Sequence, residues 1–271
     1  MRAAVVGHVE WMEFVPVERV PRSGEIVHAA DSWEQAAGGG VVAAVQLAVL
    51  ADSVQLFTAL ATDERGRRAK VELEERGIEV YASSVDSRQR SGFTYVDEAG
   101  ERTITTIGRK LHPRGHDDSL PWHELAQCDA VYFCAGDADA LLLARRARVL
   151  VATVRELATL RQGAVALDAV VTSGSDDAEQ YRPGDLDPEP RLVVTTSGAL
   201  GGWAQPGGPY KAAPLPLKTV DSYGAGDCFA AGLAFGLGVG LETMEALDFA
   251  ARCGAGALEG PGVHAKRVPL P

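Results

Sequence analysis

Residues 220–240 read VDSYGAGDCFAAGLAFGLGVG, which places aspartates on both sides of a glycine-containing turn. Gly224 and Gly226 leave backbone N–H groups uncovered, and the apolar run that begins beside them predicts a helix. The first N–H groups of a helix lack intrahelical partners and carry the positive end of its dipole, so they bind anions. The segment therefore predicts an anion site with Asp227 in the first helical turn.

The position of Asp227 indicates phosphoryl transfer. A carboxylate repels a neighbouring phosphate, so its presence is best explained by a proton that must be removed there. The N–H groups of residues 224–227 would hold the transferring group while Asp227 accepts the proton of an attacking hydroxyl. A glycine-rich turn with an N-capping aspartate is the simpler alternative. The full pattern D-x-x-G-A-G-D arises by composition only on the order of once per million positions, which favours the chemical interpretation.

Composition sets the limits on the class of protein. A chain of 271 residues with 46% hydrophobic residues suits one large α/β domain. Its formal net charge of −11 argues against nucleic acid or an anionic membrane as a partner. The N-terminal apolar run is too short for a secretory signal, and no apolar stretch of about 20 residues follows, so we expect a cytoplasmic protein. The four cysteines form no C-x-x-C pair and are expected to be buried reduced thiols: Cys128, Cys134, Cys228 and Cys253.

The elements that must position Asp227 follow from the alternation of short apolar runs with helical segments. Residues 38–51 and 63–77 predict helices, and 53–60 predicts a strand between them. Four further buried strands are predicted in "AVYFCAG", "ARVLVAT", "LDAVVTS" and "RLVVTTSG", the first three separated by helical segments. This order predicts a doubly wound, mostly parallel central sheet with helices on both faces.

Two segments interrupt the βα alternation and predict an exposed β-sheet. Residues 11–31 alternate polar and apolar residues between prolines, and 90–107 predicts a hairpin that turns at Glu98-Ala99-Gly100. We expect them to form a lid on a single domain of residues 1–271. A small sheet cannot bury its apolar face alone, so this face must be covered by the bound substrate, the main domain or a second copy of the chain. The residues expected on that face are Phe14, Val20, Ile26, Phe93, Tyr95, Ile104 and Ile107.

The segment 221–227 resembles the C-terminal signature D-T-x-G-A-G-D of the ribokinase-like, or PfkB-type, carbohydrate kinase family, with Ser222 in the place of threonine. The resemblance implies a ribokinase-like fold and ATP-dependent phosphoryl transfer to an alcohol group of a sugar or sugar-like molecule. It implies that Asp227 is the catalytic base, and that Gly224, Ala225 and Gly226 form the anion hole. ATP and Mg²⁺ are then the expected cofactors.

The resemblance extends over nearly the whole chain. The stretch "VPRSGEIVHAADSWEQAAGGG" is similar to the family's N-terminal signature, which implies that Gly38, Gly39 and Gly40 approach the sugar hydroxyls. The stretch "VTTSGALGGW" resembles the family's T-x-G-x-x-G segment beside the nucleotide. The ATP-binding residues implied in this way are Thr196, Gly198, Gly201, Gly224, Gly226 and Cys253. The resemblance also allows a site for a monovalent cation, K⁺, near Asp221 and the 257–262 backbone. It implies a lid over the sugar site that pairs two subunits, so we expect a homodimer; exposed strand edges on the lid are a physical reason for this pairing.

Two departures from the family pattern affect the metal and the sugar. The family's N-x-x-E motif, whose glutamate organises Mg²⁺, corresponds to "VTSGSDDAEQY", so Asp176, Asp177 or Glu179 would act through water. The family's sugar-binding Asn and Asp correspond to Glu10 and Met12, which makes Glu10 the expected sugar ligand. Trp11 and Trp33 can stack on a flat ring or serve as hydrophobic cover.

Three alternatives remain open at this stage. The same scaffold serves nucleoside kinases and hydroxymethylpyrimidine kinases. A non-catalytic ligand-binding protein is a second alternative, because the magnesium motif is altered. A dinucleotide oxidoreductase ranks last, because the first βα connection lacks G-x-G-x-x-G.

Overall fold

The computed structural model describes all 271 residues and contains thirteen strands and six helices. The strands are β1 (Arg2–Val6), β2 (Glu10–Pro16), β3 (Trp33–Ala37), β4 (Ser53–Ala61), β5 (Glu79–Val85), β6 (Ser91–Val96), β7 (Arg102–Ile107), β8 (Ala130–Phe133), β9 (Val149–Thr153), β10 (Ala169–Ser173), β11 (Val193–Thr196), β12 (Gly202–Gln205) and β13 (Gly208–Tyr210). The helices are α1 (Gly39–Ala48), α2 (Glu64–Glu75), α3 (Ala138–Ala144), α4 (Leu157–Gly163), α5 (Ala225–Gly238) and α6 (Thr243–Ala257).

Nine strands form the larger sheet, in the order β13-β12-β11-β10-β9-β8-β1-β4-β5. The run from β11 to β5 is parallel, and β12 and β13 continue it antiparallel at one edge. Alternate residues of β1 enter different cores: Ala3 and Val5 pack with α1 and α5, and Ala4 and Val6 pack with α3. The prediction of a doubly wound, mostly parallel sheet with helices on both faces is confirmed.

Glycines allow the helices beside β1 to approach very closely. A Cβ added to Gly40 would lie 2.6 Å from the His8 carbonyl oxygen, so α1 begins against the chain that leaves β1. A Cβ added to Gly232 of α5 would lie 2.8 Å from the Cys253 sulfur of α6. These contacts hold α1 against the end of β1 and α5 against α6.

A separate sheet of four strands, which we call the small sheet, has the order β3-β2-β6-β7. Only His8 and Val9, with Gly7, separate β1 from β2, so the small sheet starts at the carboxyl edge of the large one. The predicted hairpin over 90–107 is present as β6 and β7. It turns at 97–101, where Gly100 has a φ of 77°.

The prediction of two exposed strands within 11–31 is wrong. Only β2 lies there, residues 17–32 contain no strand, and the partner strand is β3. Strand β2 is also buried, because Met12 and Phe14 face the main domain and Trp11 lies under α2, with the Arg68 guanidinium 4.5 Å from its ring centroid. The prolines and Gly24 lie in a long connection between β2 and β3.

The predicted single apolar face of the small sheet is also wrong. Phe93 pairs with Thr105 and Tyr95 with Thr103, so both aromatic residues share the outer face with Ile107. Ile104 pairs with Thr94 on the opposite face, beside Phe14. Val20 and Ile26 belong to no strand, and the Ile26 side chain is exposed.

Candidate active site

The N-termini of two helices converge at the carboxyl edge of the large sheet. Asp227 lies in the first turn of α5, and its carboxylate contacts the first turn of α1. A Cβ added to Gly39 would lie 2.9 Å from Asp227 Oδ1. Only glycine allows this approach, which places the carboxylate between two sets of free helix N–H groups. Asp227 and the glycines at 38–40, predicted from separate parts of the chain, therefore meet.

The carboxylate of Asp227 is buried and held by one hydroxyl group. Tyr132, at the end of β8, donates a hydrogen bond of 3.1 Å to Asp227 Oδ1. Burial raises the pKa of Asp227, while the Tyr132 hydrogen bond and the positive charges of Arg155 and Arg102 oppose the rise. A carboxylate with a raised pKa is a stronger base than a solvated one, which suits removal of a proton from an alcohol.

The turn at 224–226 has the backbone shape of an anion hole. Gly224 is the N-cap of α5 with φ 77° and ψ 1°, and a Cβ there would lie 2.7 Å from a Val42 methyl group. Gly226 has no positive φ, and a Cβ added to it would project into open space. Gly224 is thus the position that requires glycine for its conformation. Ala225 begins the helix, and Gly226 keeps its N-terminus uncovered.

The predicted sugar ligand Glu10 lies in a cluster of charged and polar groups. Its Oε1 is 2.9 Å from Arg90 Nε and 3.8 Å from His8 Nε2. Burial raises the pKa of Glu10, while the charges of Arg90 and Lys110 oppose the rise. Burial, followed by the charges of Lys110, Arg90 and Arg155, lowers the pKa of His8 to about 3, so His8 is neutral.

Gly38 connects this cluster to the anion-hole turn. It has φ 94°, and its N–H donates to the Tyr223 hydroxyl at 3.0 Å. Tyr223 in turn packs edge-on against Phe14 of the small sheet, with ring centroids 5.0 Å apart. The Phe14 ring also stacks on Trp33 at 5.3 Å, so Trp33 covers an aromatic residue of the protein. Trp11 is buried under α2, which favours cover over ring stacking for both tryptophans.

The predicted nucleotide segment lies at the end of β11, toward the other side of the sheet. Thr196 ends that strand and donates to the Thr172 carbonyl oxygen at 3.2 Å. Gly198 and Gly201 both have positive φ, and a Cβ at Gly201 would lie 2.2 Å from the Tyr210 carbonyl oxygen. Cys253 is fully buried between α5 and α6, so its thiol is a core group and faces no open site.

The carboxylates predicted to organise a metal ion bind an arginine. Arg155 contacts Glu179 through an ion pair and also lies 3.1 Å from Asp176 Oδ2. Burial raises the pKa of Glu179, and Arg155 opposes the rise. Asp176 and Glu179 thus form an oxygen-donor pair three residues apart. Oxygen donors that act through water suit Mg²⁺. Asp177, the third carboxylate considered, lies in the same short 3₁₀ turn as Glu179.

Asp221 is held rigidly beside the anion-hole turn. Its two oxygens accept hydrogen bonds of 2.8 Å from the N–H groups of Tyr223 and Gly262. Burial raises its pKa, and these two hydrogen bonds oppose the rise. The contact with Gly262 brings the predicted cation residue to the backbone at 257–262, as expected.

Several site residues escaped the sequence prediction. Tyr132, Arg90, Arg102 and Arg155 come from strand ends or short turns far from the glycine motifs in sequence. Arg90 and Arg102 lie at the starts of β6 and β7 in the small sheet. Tyr132 and Arg155 lie at or just after the ends of β8 and β9, on the carboxyl edge where side chains of parallel strands converge. That position was the available signal, but it applies equally to many residues that do not face the site.

The parallel sheet with a glycine-lined anion site and a buried carboxylate at its carboxyl edge defines a phosphotransferase with an alcohol acceptor. The family model described as "pfkB family carbohydrate kinase" matches residues 2–184 and 143–269. The chain belongs to this family and is an ATP-dependent sugar kinase. Membership of this family favours the kinase over the two other classes of protein considered above, the oxidoreductase and the non-catalytic ligand-binding protein.

Curated sugar kinases resemble the chain, one over nearly its whole length and another over about a third of it. It is 27% identical to the ATP-dependent ribose-1-phosphate kinase of Halopiger xanaduensis, over 94% of this chain and 91% of that protein. It is 31% identical to the ribokinase of Dictyostelium discoideum, over 38% of this chain and 33% of that one.

Solved structures show the same fold. The ribokinase of Thermotoga maritima gives a TM-score of 0.74 at 18% identity, covering 96% of this chain and 94% of that chain. The adenosine kinase of Sinorhizobium meliloti gives 0.77 at 18% identity, covering 99% and 95%. No helix of the present structure combines the length and apolarity that a membrane crossing requires.

Proposed function

We propose that Asp227 is the general base of this sugar kinase and that the N–H groups of 224–227 hold the transferring phosphoryl group. The observation that carries the proposal is the contact between the Asp227 carboxylate and the N-terminus of α1 at Gly39. An acceptor hydroxyl placed against Gly38–Gly40 faces Asp227 on one side and the N-terminus of α5 on the other. Proton removal and stabilisation of the developing charge then occur at one point.

In this proposal the nucleotide and the metal ions are held by different residues. ATP would lie along the carboxyl edge, with Thr196, Gly198 and Gly201 beside it and its terminal phosphate at Gly224–Asp227. Asp176 and Glu179 would hold Mg²⁺ through water, and the ion would neutralise charge on the phosphates. Asp221, with its oxygens oriented by two backbone N–H groups, would support a K⁺ site.

We further propose that the acceptor is a phosphorylated pentose. The relative from Halopiger xanaduensis is named for ribose 1-phosphate, and it matches nearly the whole chain. Arg90 and Lys110 lie at the two junctions of the small sheet and direct positive charge at the Glu10 cluster. A guanidinium with several free N–H donors and a lysine suit a phosphate group. Met12 is buried at the position where the family pattern has Asp, and it offers no carboxylate to bind the hydroxyl groups of a plain sugar.

The decisive experiment is a comparison of acceptors. Formation of ADP from ATP is measured with ribose 1-phosphate, ribose, nucleosides and hydroxymethylpyrimidine, each with and without Mg²⁺ and K⁺. We expect kcat/KM for ribose 1-phosphate to exceed that for ribose at least tenfold, and Arg90→Met to remove most of this preference. Arg109→Met is the matched control, because Arg109 is an exposed arginine just past β7. Equal use of ribose, or preference for a nucleoside, would refute the phosphorylated acceptor.

The small sheet is proposed to be the lid of this site and a dimer interface. Its inner face carries Glu10 and Phe14 above the cleft. Its outer face leaves Phe93 41% and Ile107 51% exposed, which is a large apolar area for an uncovered sheet. Pairing of two such faces in a homodimer would bury both aromatic and aliphatic groups.

A further inference from the structure

Every polar group of Ser222 is bonded to the turn of the β6–β7 hairpin. Its N–H donates to the Gly100 carbonyl oxygen at 2.9 Å. Its carbonyl oxygen and hydroxyl accept hydrogen bonds of 2.6 and 3.1 Å from Arg102 Nη1. The hydroxyl also donates to Glu101 Oε2 at 3.4 Å. Three consecutive residues of the small sheet thus bind one residue of the segment that leads into the anion hole.

The turn of the hairpin also packs closely against Thr219, in the segment that precedes Ser222. Gly100 has a positive φ, and a Cβ added there would lie 2.8 Å from Thr219 Cγ2 and 3.0 Å from the Thr219 carbonyl oxygen. Edge strand β7 is exposed along its whole length, yet its first residue, Arg102, donates two hydrogen bonds across the cleft. Arg102 forms no ion pair, and the hydrogen bonds that it donates from its guanidinium both go to Ser222.

Ser222 lies two residues before Gly224, whose left-handed conformation sets the direction of the N–H groups at the start of α5. If the hairpin moved away, the Ser222 N–H and carbonyl groups would both lose their partners. The segment 221–224 would then keep the hydrogen bonds of the Asp221 carboxylate, the Tyr223 side chain and the Gly224 carbonyl oxygen, none of which involves residue 222. The geometry of the anion hole therefore depends on where the hairpin lies.

We propose that Arg102 is a positioning residue that locks the anion hole in its working geometry when the hairpin lies over the cleft. It acts through Ser222, and it does not itself remove the proton. The inference rests on the proposed function in one respect, namely that residues 224–227 bind the transferring phosphoryl group. Phosphoryl transfer would then be fast only with the small sheet closed, which protects ATP from reaction with water.

Two variants of Arg102 and one of Ser222 test the proposal. Arg102→Met should lower kcat about 10- to 100-fold, the effect of losing a charged hydrogen-bond donor, while the KM for the acceptor changes less than threefold. Arg102→Lys keeps the charge and should retain part of the rate. Ser222→Ala loses only the hydroxyl contacts, so we expect a loss of about two- to fivefold. Combined with Arg102→Met, it should add little further loss, because both act on one contact.

Two readouts separate positioning from a general loss of folding. Added guanidinium or methylguanidinium ions should restore part of kcat to an Arg102→Ala variant and none to wild type. Amide hydrogen exchange, measured without substrates, should speed up at least tenfold at 221–225 in Arg102→Met. Arg109→Met is the control for both measurements and should match wild type.

These experiments test the role of Arg102 separately from the proposed phosphoryl transfer. A kcat within twofold of wild type in Arg102→Met, or unchanged exchange at 221–225, would overturn the proposal even if the wild-type enzyme is fully active. A wild-type protein that phosphorylates no sugar, combined with faster exchange at 221–225 in the variant, would support the contact and reject the proposed function. If Arg102→Met does not fold, Arg102→Lys and Ser222→Ala provide the same two measurements.

Discussion

The Tyr132 hydroxyl donates to Oδ1 of Asp227, 95 residues away in the chain, at 3.1 Å. One oxygen of the carboxylate is thereby occupied, and Oδ2 is left to accept a proton from the acceptor. The hydrogen bond also stabilises the charged form of Asp227 inside a buried site. Tyr132 therefore sets both the orientation and the basicity of the proposed base.

Replacement of Tyr132 by Phe should raise the pKa of Asp227, because it removes the largest effect that opposes burial. A higher pKa leaves more of the carboxyl protonated, so the acid limb of the kcat/KM profile should move to higher pH. We expect a kcat about three- to tenfold lower at neutral pH. The profile is measured from pH 5 to 9, with Tyr81→Phe as the control because Tyr81 binds Glu79, away from the site.

The other charged groups around Asp227 are the same in wild type and in Tyr132→Phe, so they contribute equally to the two pH profiles. These groups are Glu10, Arg102, Arg155 and Glu179. An acid limb that does not move in Tyr132→Phe would show that Asp227 is not the group that titrates. It would then count against the assignment of Asp227 as the base.

Asp227→Asn should separate activity from stability. Loss of a general base lowers kcat about 10²- to 10⁴-fold, while binding of ATP should persist. Folding raises the pKa of Asp227, so its contribution to stability is complete below the unfolded pKa and is lost as pH rises through the folded value. At pH 8 the buried charge is therefore destabilising, and Asn should raise Tm by about 2–4 °C.

Thermal unfolding of wild type and Asp227→Asn at pH 8 and at pH 4 checks this expectation. The stabilisation should be smaller at pH 4, because more of the wild-type carboxyl is protonated there than at pH 8. A variant with near-wild-type turnover would remove Asp227 from the mechanism, whatever its stability.

His8 should make the protein sensitive to acid. Its pKa in the folded state is about 3, so it stays neutral while the unfolded chain takes up a proton near pH 6.5. Stability is thus lost as pH falls from about 6.5 toward 3. The loss from this group reaches about 2 kcal/mol at pH 5. His8→Gln should flatten the dependence of unfolding free energy on pH over this range.

Chemical denaturation at pH 7 and pH 5 measures the difference between the two free energies of unfolding. His28→Gln is the matched control, because the His28 side chain is exposed. If wild type and His8→Gln lose stability in parallel, then His8 gains a proton in the folded state and is not held neutral by burial.

The sequence was sufficient to predict the large sheet and the position of Asp227 in the first turn of a helix. Strands and helices that alternate along the chain form a parallel sheet covered by helices, and the turn Gly224–Asp227 is contiguous, so both features are visible without coordinates. The partners of Asp227 were not visible. Tyr132 lies within the apolar strand β8 and looks like a core residue until the topology places β8 beside β1 and against α5.

The small sheet shows why alternation alone is limited. A period of two indicates a strand but does not identify its partner, so the true neighbour of β2, residues 33–37, was missed. The face of a hairpin depends on its register, and a turn of five residues places Ile104 opposite Thr94, away from Phe93. Arg102 was overlooked for the same reason, since its contact with Ser222 exists only after the two sheets are docked.

The outer face of the small sheet should mediate a homodimer. Phe93 and Ile107 are both about half exposed on one face, with Tyr95 beside them, and exposed strand β7 has an unpaired edge. Wild-type protein should therefore scatter light as a dimer at micromolar concentration, at twice the 28.6 kDa of one chain. Phe93→Lys should give a monomer, because two charges would face each other across a two-fold axis. Leu142→Lys adds the same charge at an exposed position on α3 and should leave the dimer intact. A wild-type mass of one chain would refute the dimer, and dissociation by Leu142→Lys instead of Phe93→Lys would move the interface to the α3 side.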